Sequence, residues 1–282
     1  MGAAVTRGSL TELRNHVNVG KRMPELPEVE FASRVLRKAV VGRTVRRVRA
    51  LHRSQRRGLP PRHLARLRGA TIIGVERRGK HQLLALSTGD TLVVHFRMTG
   101  DWLVDTTAAS LEPYARVVID LDDDTRVSLV DPRALSTVTL SPSGSSSLPP
   151  LGPDAADPDV DAGVFIGALS RRRVSIKVAL LDQRVLAGVG NIYAAEALWV
   201  ARIDPRAPAN SITRARAVRL LAAIREVLDR AQRSSGRYRD TGEGRFQVYD
   251  REGEPCSRCG TAIARIPQAG RSTYFCPHCQ RR

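Results

Sequence analysis

The residues best equipped for chemistry are four cysteines, all within the last 27 residues of the 282-residue chain. Cys256-x2-Cys259 and Cys276-x2-Cys279 are separated by 16 residues. Each pair sets two thiolates on one turn, and the span between them suits a β-hairpin, so four sulfurs can close a tetrahedron around one Zn²⁺. His278 could replace a thiolate, but four already complete the shell and leave no position for a catalytic water. The expected metal is therefore structural and the module a zinc ribbon. Its hairpin would carry Arg265 and Arg271, with Gly270-Arg271-Ser272-Thr273 as a tip aimed at phosphate. The plainer alternative for Arg271 is one more solvated charge. Clustered cysteines without a secretory leader pattern point to reduced thiols and an intracellular, cytoplasmic protein.

The basic residues carry a second signal. Lys and Arg total 46 against 28 acidic residues, a net charge of +18, so the expected partner is a polyanion, most simply nucleic acid. A membrane-surface protein would need an amphipathic basic helix with bulky anchors, yet aromatics are only 4%. No apolar run approaches a membrane span. Only four basic residues are Lys: Lys21, Lys38, Lys80 and Lys177. Codon bias accounts for such an imbalance, but a Lys kept among so many Arg also marks a place for a compact, titratable ammonium. Lys80 sits in Arg77-Arg78-Gly79-Lys80, a turn between two strand-like segments.

The elements that must position these groups divide the chain. Residues 1–22 are weakly patterned and read as a disordered extension. From Phe31 to Val40 the apolar spacing is helical and stops at Gly42. Thr44–Ala50, Thr71–Glu76, Gln82–Leu86, Thr91–Phe96, Arg116–Leu121 and Arg126–Val130 alternate as strands, without helices between them. Residues 23–140 are thus predicted to form an antiparallel β-sandwich or barrel with a leading helix, giving an α+β protein. Residues 141–158, rich in Ser, Pro and Gly, read as a linker. Residues 159–245 read as a helical domain. Its helices are predicted at Val174–Val185, Ile192–Val200 and Ile212–Ala231, the last capped by Ser211 or Asn210. Gly188-Val189-Gly190-Asn191 makes a tight hairpin between the first two, and 234–245 is a polar, Gly-rich loop. Residues 246–282 form the zinc module.

Three segments together resemble one family. Met23-Pro24-Glu25-Leu26-Pro27-Glu28-Val29-Glu30 is similar to the start of the formamidopyrimidine-DNA glycosylase (Fpg) family, within the Fpg/endonuclease VIII group of base-excision repair enzymes. Residues 186–198 resemble its helix–two-turn–helix, and residues 248–280 its C-terminal zinc finger. The resemblance spans residues 23–282 in the family's order. It implies a bifunctional DNA glycosylase and AP lyase that removes oxidised bases (8-oxoguanine and formamidopyrimidines) from damaged double-stranded DNA, as a monomer, with no membrane. The Pro24 amine would be the nucleophile, forming an iminium with C1′ and leading to β,δ-elimination. Glu25 would be the adjacent acid, with Glu28 in support. Without the other two segments, Pro24-Glu25 would read as no more than a helix start. By the same resemblance Lys80 grips phosphates beside the lesion, against the plainer reading of a solvated turn charge. Lys177 lies near the damaged base. Gly188, Gly190 and Asn191 hold a phosphate through backbone N–H groups and a side-chain amide. Glu196 supports the site from behind. Met98 fills the hole left by the flipped base, although alone it would read as core.

The sequence departs from the family in places. The family's Asp-Pro-Arg-Arg-Phe-Gly is here Asp131-Pro132-Arg133-Ala134-Leu135-Ser136. Arg133 can still reach the orphaned base, but Leu135 replaces an aromatic whose stacking is worth roughly 1–3 kcal/mol. The stretch 234–247 is short, which leaves the preferred lesion open. While residues 1–22 remain attached, the Pro24 nitrogen is an amide and forms no iminium. The expectation is therefore a start at Met23. A non-catalytic damaged-DNA-binding protein of the same fold is the alternative.

Overall fold

The computed structural model describes residues 24–233 and 246–281. The extension expected at 1–22 and the loop expected at 234–245 lie outside them. By its internal contacts the chain forms two units. One holds Pro24 and residues 28–149, the other Glu25–Pro27 and the chain from Pro150 onward.

The first unit is built on helix α1 (Leu26–Val40), from Glu28 onward, and eight strands. Val29, Ala32, Leu36 and Val40 recur on one face of α1 and are buried. The helix ends where Gly42 takes φ +83°. The strands are β1 (Val45–Ala50), β2 (Ile72–Arg78), β3 (His81–Leu86), β4 (Thr91–His95), β5 (Asp101–Thr106), β6 (Ala115–Leu121), β7 (Thr125–Val130) and β8 (Thr137–Ser141). They pair antiparallel in two four-stranded sheets, ordered β1-β6-β7-β5 and β2-β3-β4-β8. Val117, Ile119, Val127 and Leu129 of one sheet share a core with Val75, Leu84, Leu92 and Val94 of the other. A polar tie crosses this core: buried Trp102 donates through Nε1 to Gln82 Oε1 at 2.7 Å. Of the sandwich and barrel that strand alternation allows, the β-sandwich is present, and all six predicted strands appear with every end within two residues of its predicted place.

Two strands, β5 and β8, were not predicted, nor were two short helices, α2 (Arg53–Gly58) and α3 (Pro61–Leu67). Their Arg-rich sequences carry no apolar period. Tertiary contacts hold α2 in place: buried Gln55 donates to Ser136 O at 2.7 Å and Ser54 Oγ to Ala134 O at 3.1 Å. Gly58 lies so close to Val138 that a Cβ would collide with its carbonyl oxygen.

The second unit is helical. It contains α4 (Ala162–Ser170), α5 (Ile176–Leu181), α6 (Asn191–Val200), a short 3-10 turn (Ala209–Ser211), α7 (Arg214–Arg233) and a hairpin of β9 (Ala264–Gln268) and β10 (Arg271–Phe275). Leu220, Leu221, Ile224, Val227, Leu228 and Ala231 form the buried stripe of α7. The helix predicted at Val174–Val185 is shorter, because Asp182 leaves helical geometry to bind Arg172 and Arg184. The predicted cap of α7 is also corrected. Asn210 and Ser211 belong to the 3-10 turn, and Thr213 Oγ1 receives the Arg216 N–H. Helix α4, capped by Asp161, was missed. No helix among the described residues is long and apolar enough to cross a membrane.

The Gly58 contact is testable. Gly58→Ala should destabilise the sandwich by roughly 1–3 kcal/mol through overpacking against backbone. Gly74→Ala, whose Cβ would meet only the Ala85 Cβ at 3.9 Å, should be near neutral. Thermal melts of the two variants should separate clearly; equal melting would contradict the packing described.

Candidate active site

Glu25 is 2% exposed, and its carboxylate faces the start of α6. Oε1 accepts the Ile192 N–H at 3.0 Å and Oε2 the Tyr193 N–H at 3.4 Å. These are first-turn donors of a helix, unpaired within the helix and at the positive end of its dipole. The site exists because Gly190 has no side chain: a Cβ there would collide with the Glu25 carboxyl group. Gly188, at φ +105°, likewise leaves room for Leu26, whose N–H donates to Gly188 O at 3.3 Å. Gln183 braces the hairpin, accepting the Gly188 N–H at 2.9 Å and donating to Val189 O at 2.9 Å. Pro24, directly before Glu25, is buried. The hairpin was predicted to turn its N–H groups toward a phosphate. Of the groups of Gly188, Gly190 and Asn191 expected there, the Gly188 N–H donates to Gln183 Oε1 at 2.9 Å and the Asn191 amide to Ser272 O at 3.1 Å. Gln183 carried no signal in the sequence, since its acceptor and donor partners are set by the hairpin's fold.

Lys177 is 0% exposed. Its Nζ donates to Asn191 Oδ1 at 2.5 Å, Thr273 Oγ1 at 2.8 Å and Ser272 O at 3.2 Å, while Asn191 Nδ2 also donates to Ser272 O at 3.1 Å. One ammonium thus joins α5, the start of α6 and β10. Burial, reinforced by Arg271 and opposed by Glu25, pushes Lys177 down to about 8. Lys177, expected near the damaged base, is enclosed by these partners. Arg271 is exposed at the head of β10, just after Ala269 and Gly270 turn the hairpin at φ +48° and +71°. Thr273, expected at the tip, is buried at 0%.

Glu196 lies apart from this cluster. Its carboxylate accepts the N–H groups of Gln247, Val248 and Tyr249 at 2.8, 2.9 and 2.9 Å, seating the start of the zinc module on α6. Burial pushes its carboxyl up, and the three donors pull against that.

In the first unit Lys80 sits 8% exposed in the β2–β3 turn, where Gly79 takes φ +59°. Next to it, His81 and His95 pair across β3 and β4 with ring centroids 4.6 Å apart. Burial, then Arg97, pushes His81 down to about 4. Burial, then His81, Arg97 and Lys80, takes His95 to about 3, so both rings are neutral near pH 7. Arg97, at φ +58°, donates its N–H to His95 Nδ1 at 2.9 Å. Met98 follows, half-buried in a turn closed by Gly100 N–H to Phe96 O at 3.1 Å.

Asp131, 0% exposed, links that turn to the loop carrying Arg133. Its carboxylate accepts Thr99 Oγ1 at 2.5 Å, the Ser136 N–H at 2.7 Å and the Arg133 N–H at 3.2 Å. Burial opposes its ionisation, but these donors outweigh burial and hold the carboxyl below its ordinary value. The Met98 and Arg133 loops are thus brought together, and Arg133 is exposed. Glu28, in the first turn of α1, is buried.

The four cysteine sulfurs lie within 4.8 Å of one another. Zn–S bonds of about 2.3 Å place tetrahedral sulfurs about 3.8 Å apart, so the cluster fits Zn²⁺. Donors aimed at sulfur favour thiolates: the Cys279 N–H reaches Cys276 Sγ at 3.4 Å and Trp199 Nε1 reaches Cys256 Sγ at 3.5 Å. His278 is exposed and outside the cluster. Cys256 and Cys276 pack with Trp199, Val248 and Ile263, so a bound Zn²⁺ would organise the small core under the hairpin.

Comparison with known proteins agrees over 92% of the chain. The formamidopyrimidine-DNA glycosylase N-terminal domain matches residues 23–138, the H2TH domain of the same enzymes residues 151–240, and the zinc finger found in FPG and IleRS residues 253–282. A formamidopyrimidine-DNA glycosylase of Rhizorhabdus wittichii is 40% identical over 273 residues, covering 92% of this chain and 100% of the relative. Among solved structures, the Lactococcus lactis enzyme bound non-covalently to DNA containing an AP site is 34% identical with a TM-score of 0.85. The same enzyme with DNA containing FAPY-dG gives 34% and 0.84. Both matches cover 92% of this chain and 100% of the other. The chain belongs to the formamidopyrimidine-DNA glycosylase family.

Proposed function

We propose that this chain excises oxidised bases, 8-oxoguanine and formamidopyrimidines, from duplex DNA and then cleaves the abasic strand. The observation that carries the reading is the Glu25 carboxylate seated on the α6 N–H groups directly beside Pro24. With its nitrogen free, Pro24 is a secondary amine whose pKa leaves a substantial neutral fraction near pH 7. It attacks C1′, the glycosidic bond breaks, and the base departs. The departing base takes its proton from water, while the Glu25 carboxylate takes the proton that the Pro24 nitrogen sheds on bonding to C1′ and delivers it to the ring oxygen as the sugar opens, leaving an iminium. Loss of a C2′ proton then expels the 3′ phosphate by β-elimination, and δ-elimination releases the 5′ phosphate.

The other residues bind and position. Lys80 and Arg271 contact phosphates, Met98 enters the space left by the flipped base, and Arg133 meets the orphaned base. Lys177 and Asn191 fix the hairpin and β10 rather than touching the base. Glu28 and Glu196 are supports. Zn²⁺, held by Cys256, Cys259, Cys276 and Cys279, supplies folding energy to the finger. Every group comes from one chain, so a monomer working on chromosomal DNA in the cytoplasm suffices.

Two measurements test this. With the chain begun at Met23 and the Met removed, Glu25→Gln should slow base release from an 8-oxoguanine duplex by roughly 100- to 10,000-fold. Pro24→Gly should also abolish efficient release; unchanged release in either variant would contradict the mechanism. The second concerns Lys177. Its folded pKa, about 8, lies below the ordinary 10.5, so between these values the unfolded chain binds more protons and stability rises with pH. Melting temperature should therefore rise from pH 7.5 to 9.5 relative to Lys177→Met. Parallel curves would show that the ammonium is not held as described.

A further inference from the structure

Extruding a nucleotide leaves an unpaired base whose π-face needs a partner. The Asp131–Ser136 loop offers it the guanidinium of Arg133 and the aliphatic Leu135, but no ring. A ring stands beside that loop. Tyr114, 46% exposed, is the only exposed Phe, Tyr or Trp among the described residues. Its carbonyl accepts the Asp131 N–H at 2.9 Å, which fixes its backbone to the first residue of the Arg133 loop. Arg116, two residues on, donates from Nε to Asp131 O at 2.6 Å and from Nη2 to Pro132 O at 3.1 Å. The same guanidinium lies 5.7 Å from the centroid of the Tyr114 ring. The ring is thus steadied by a cation that the loop itself holds, an arrangement that limits its rotation before any ligand arrives. A large aromatic left in water, on backbone bonded to the loop that carries exposed Leu135 and Arg133, makes a stacking platform with a charged rim.

We propose that Tyr114 is the stacking residue for the orphaned base: its ring packs on the base face while Arg133 reaches the base edge. Tyr114 then determines how firmly the opposite strand is held, and contributes to the choice of opposite base. The inference rests on the glycosylase reading above.

The test is a duplex with 2-aminopurine opposite a tetrahydrofuran abasic analogue, in which stacking on an aromatic ring lowers fluorescence. The unsubstituted chain and Tyr114→Phe should both quench the probe. Tyr114→Ala and Tyr114→Leu should leave it bright and bind the duplex about 5- to 100-fold more weakly at the same salt. Tyr114→Leu keeps apolar bulk, so a purely structural role would spare it. Quenching by both ring-less variants equal to that of the unsubstituted chain would overturn the proposal. Failure of the unsubstituted chain to prefer the tetrahydrofuran duplex over an undamaged one is a separate result. It would remove the glycosylase reading, and the role of Tyr114 with it.

Discussion

The Glu25 carboxylate accepts N–H groups from the first turn of α6, in a space that exists only because residue 190 is glycine. This bond fixes the chain immediately after Pro24, and a run of neighbouring contacts in the second unit continues from it. The hairpin must approach closely enough for Gly188 to receive Leu26, which Gln183 secures from the other side. Asn191, the first residue of α6, then meets Lys177, and Lys177 in turn meets β10. A carboxylate, two glycines and one ammonium thus connect the beginning of the described chain to its zinc-bearing end. Each is buried, so its hydrogen bonds are expensive to lose.

Asp131 plays the corresponding part in the first unit. Its carboxylate ties the Met98 turn to the Arg133 loop, and it does so in company with strained backbone. Arg97 and Ala134 occupy left-handed geometry at φ +58° and +53°. Such conformations cost of order 1–3 kcal/mol each and persist only where surrounding contacts impose them. Here the imposing contacts are the Asp131 acceptors, the His95 ring and Ser54, which donates to Ala134 O. Rigid loops of this kind deliver side chains to a ligand without an ordering cost at binding.

The architecture was legible in the sequence where periodicity was strong. Alternation in β3, whose burial also alternates, and the three- and four-residue spacing in α7 each have one physical solution. The cysteine spacing was equally readable, because the geometry of zinc leaves few options. Helix α2 was not readable: what holds it are contacts from Gln55 and Gly58 to residues about 80 positions away. The same limit applies to Lys177. Ser175-Ile176-Lys177 reads as the start of a helix, and only the fold brings Asn191 and Thr273 to the ammonium. Glu196 likewise finds its donors more than 50 residues further along. Local pattern finds elements; it does not find the partners of a buried charge.

The central claim is that the Pro24 nitrogen is the group that bonds to the sugar. Sodium borohydride reduction in the presence of an abasic-site duplex, followed by peptide mapping, tests it most directly. The experiment should compare a chain beginning at Pro24 with the 282-residue chain. The account predicts a covalent adduct on the Pro24 peptide when that nitrogen is free, and none on it when residue 23 is attached. An adduct mapped to a lysine, or no adduct from a chain whose free Pro24 amine is confirmed by mass, would contradict it.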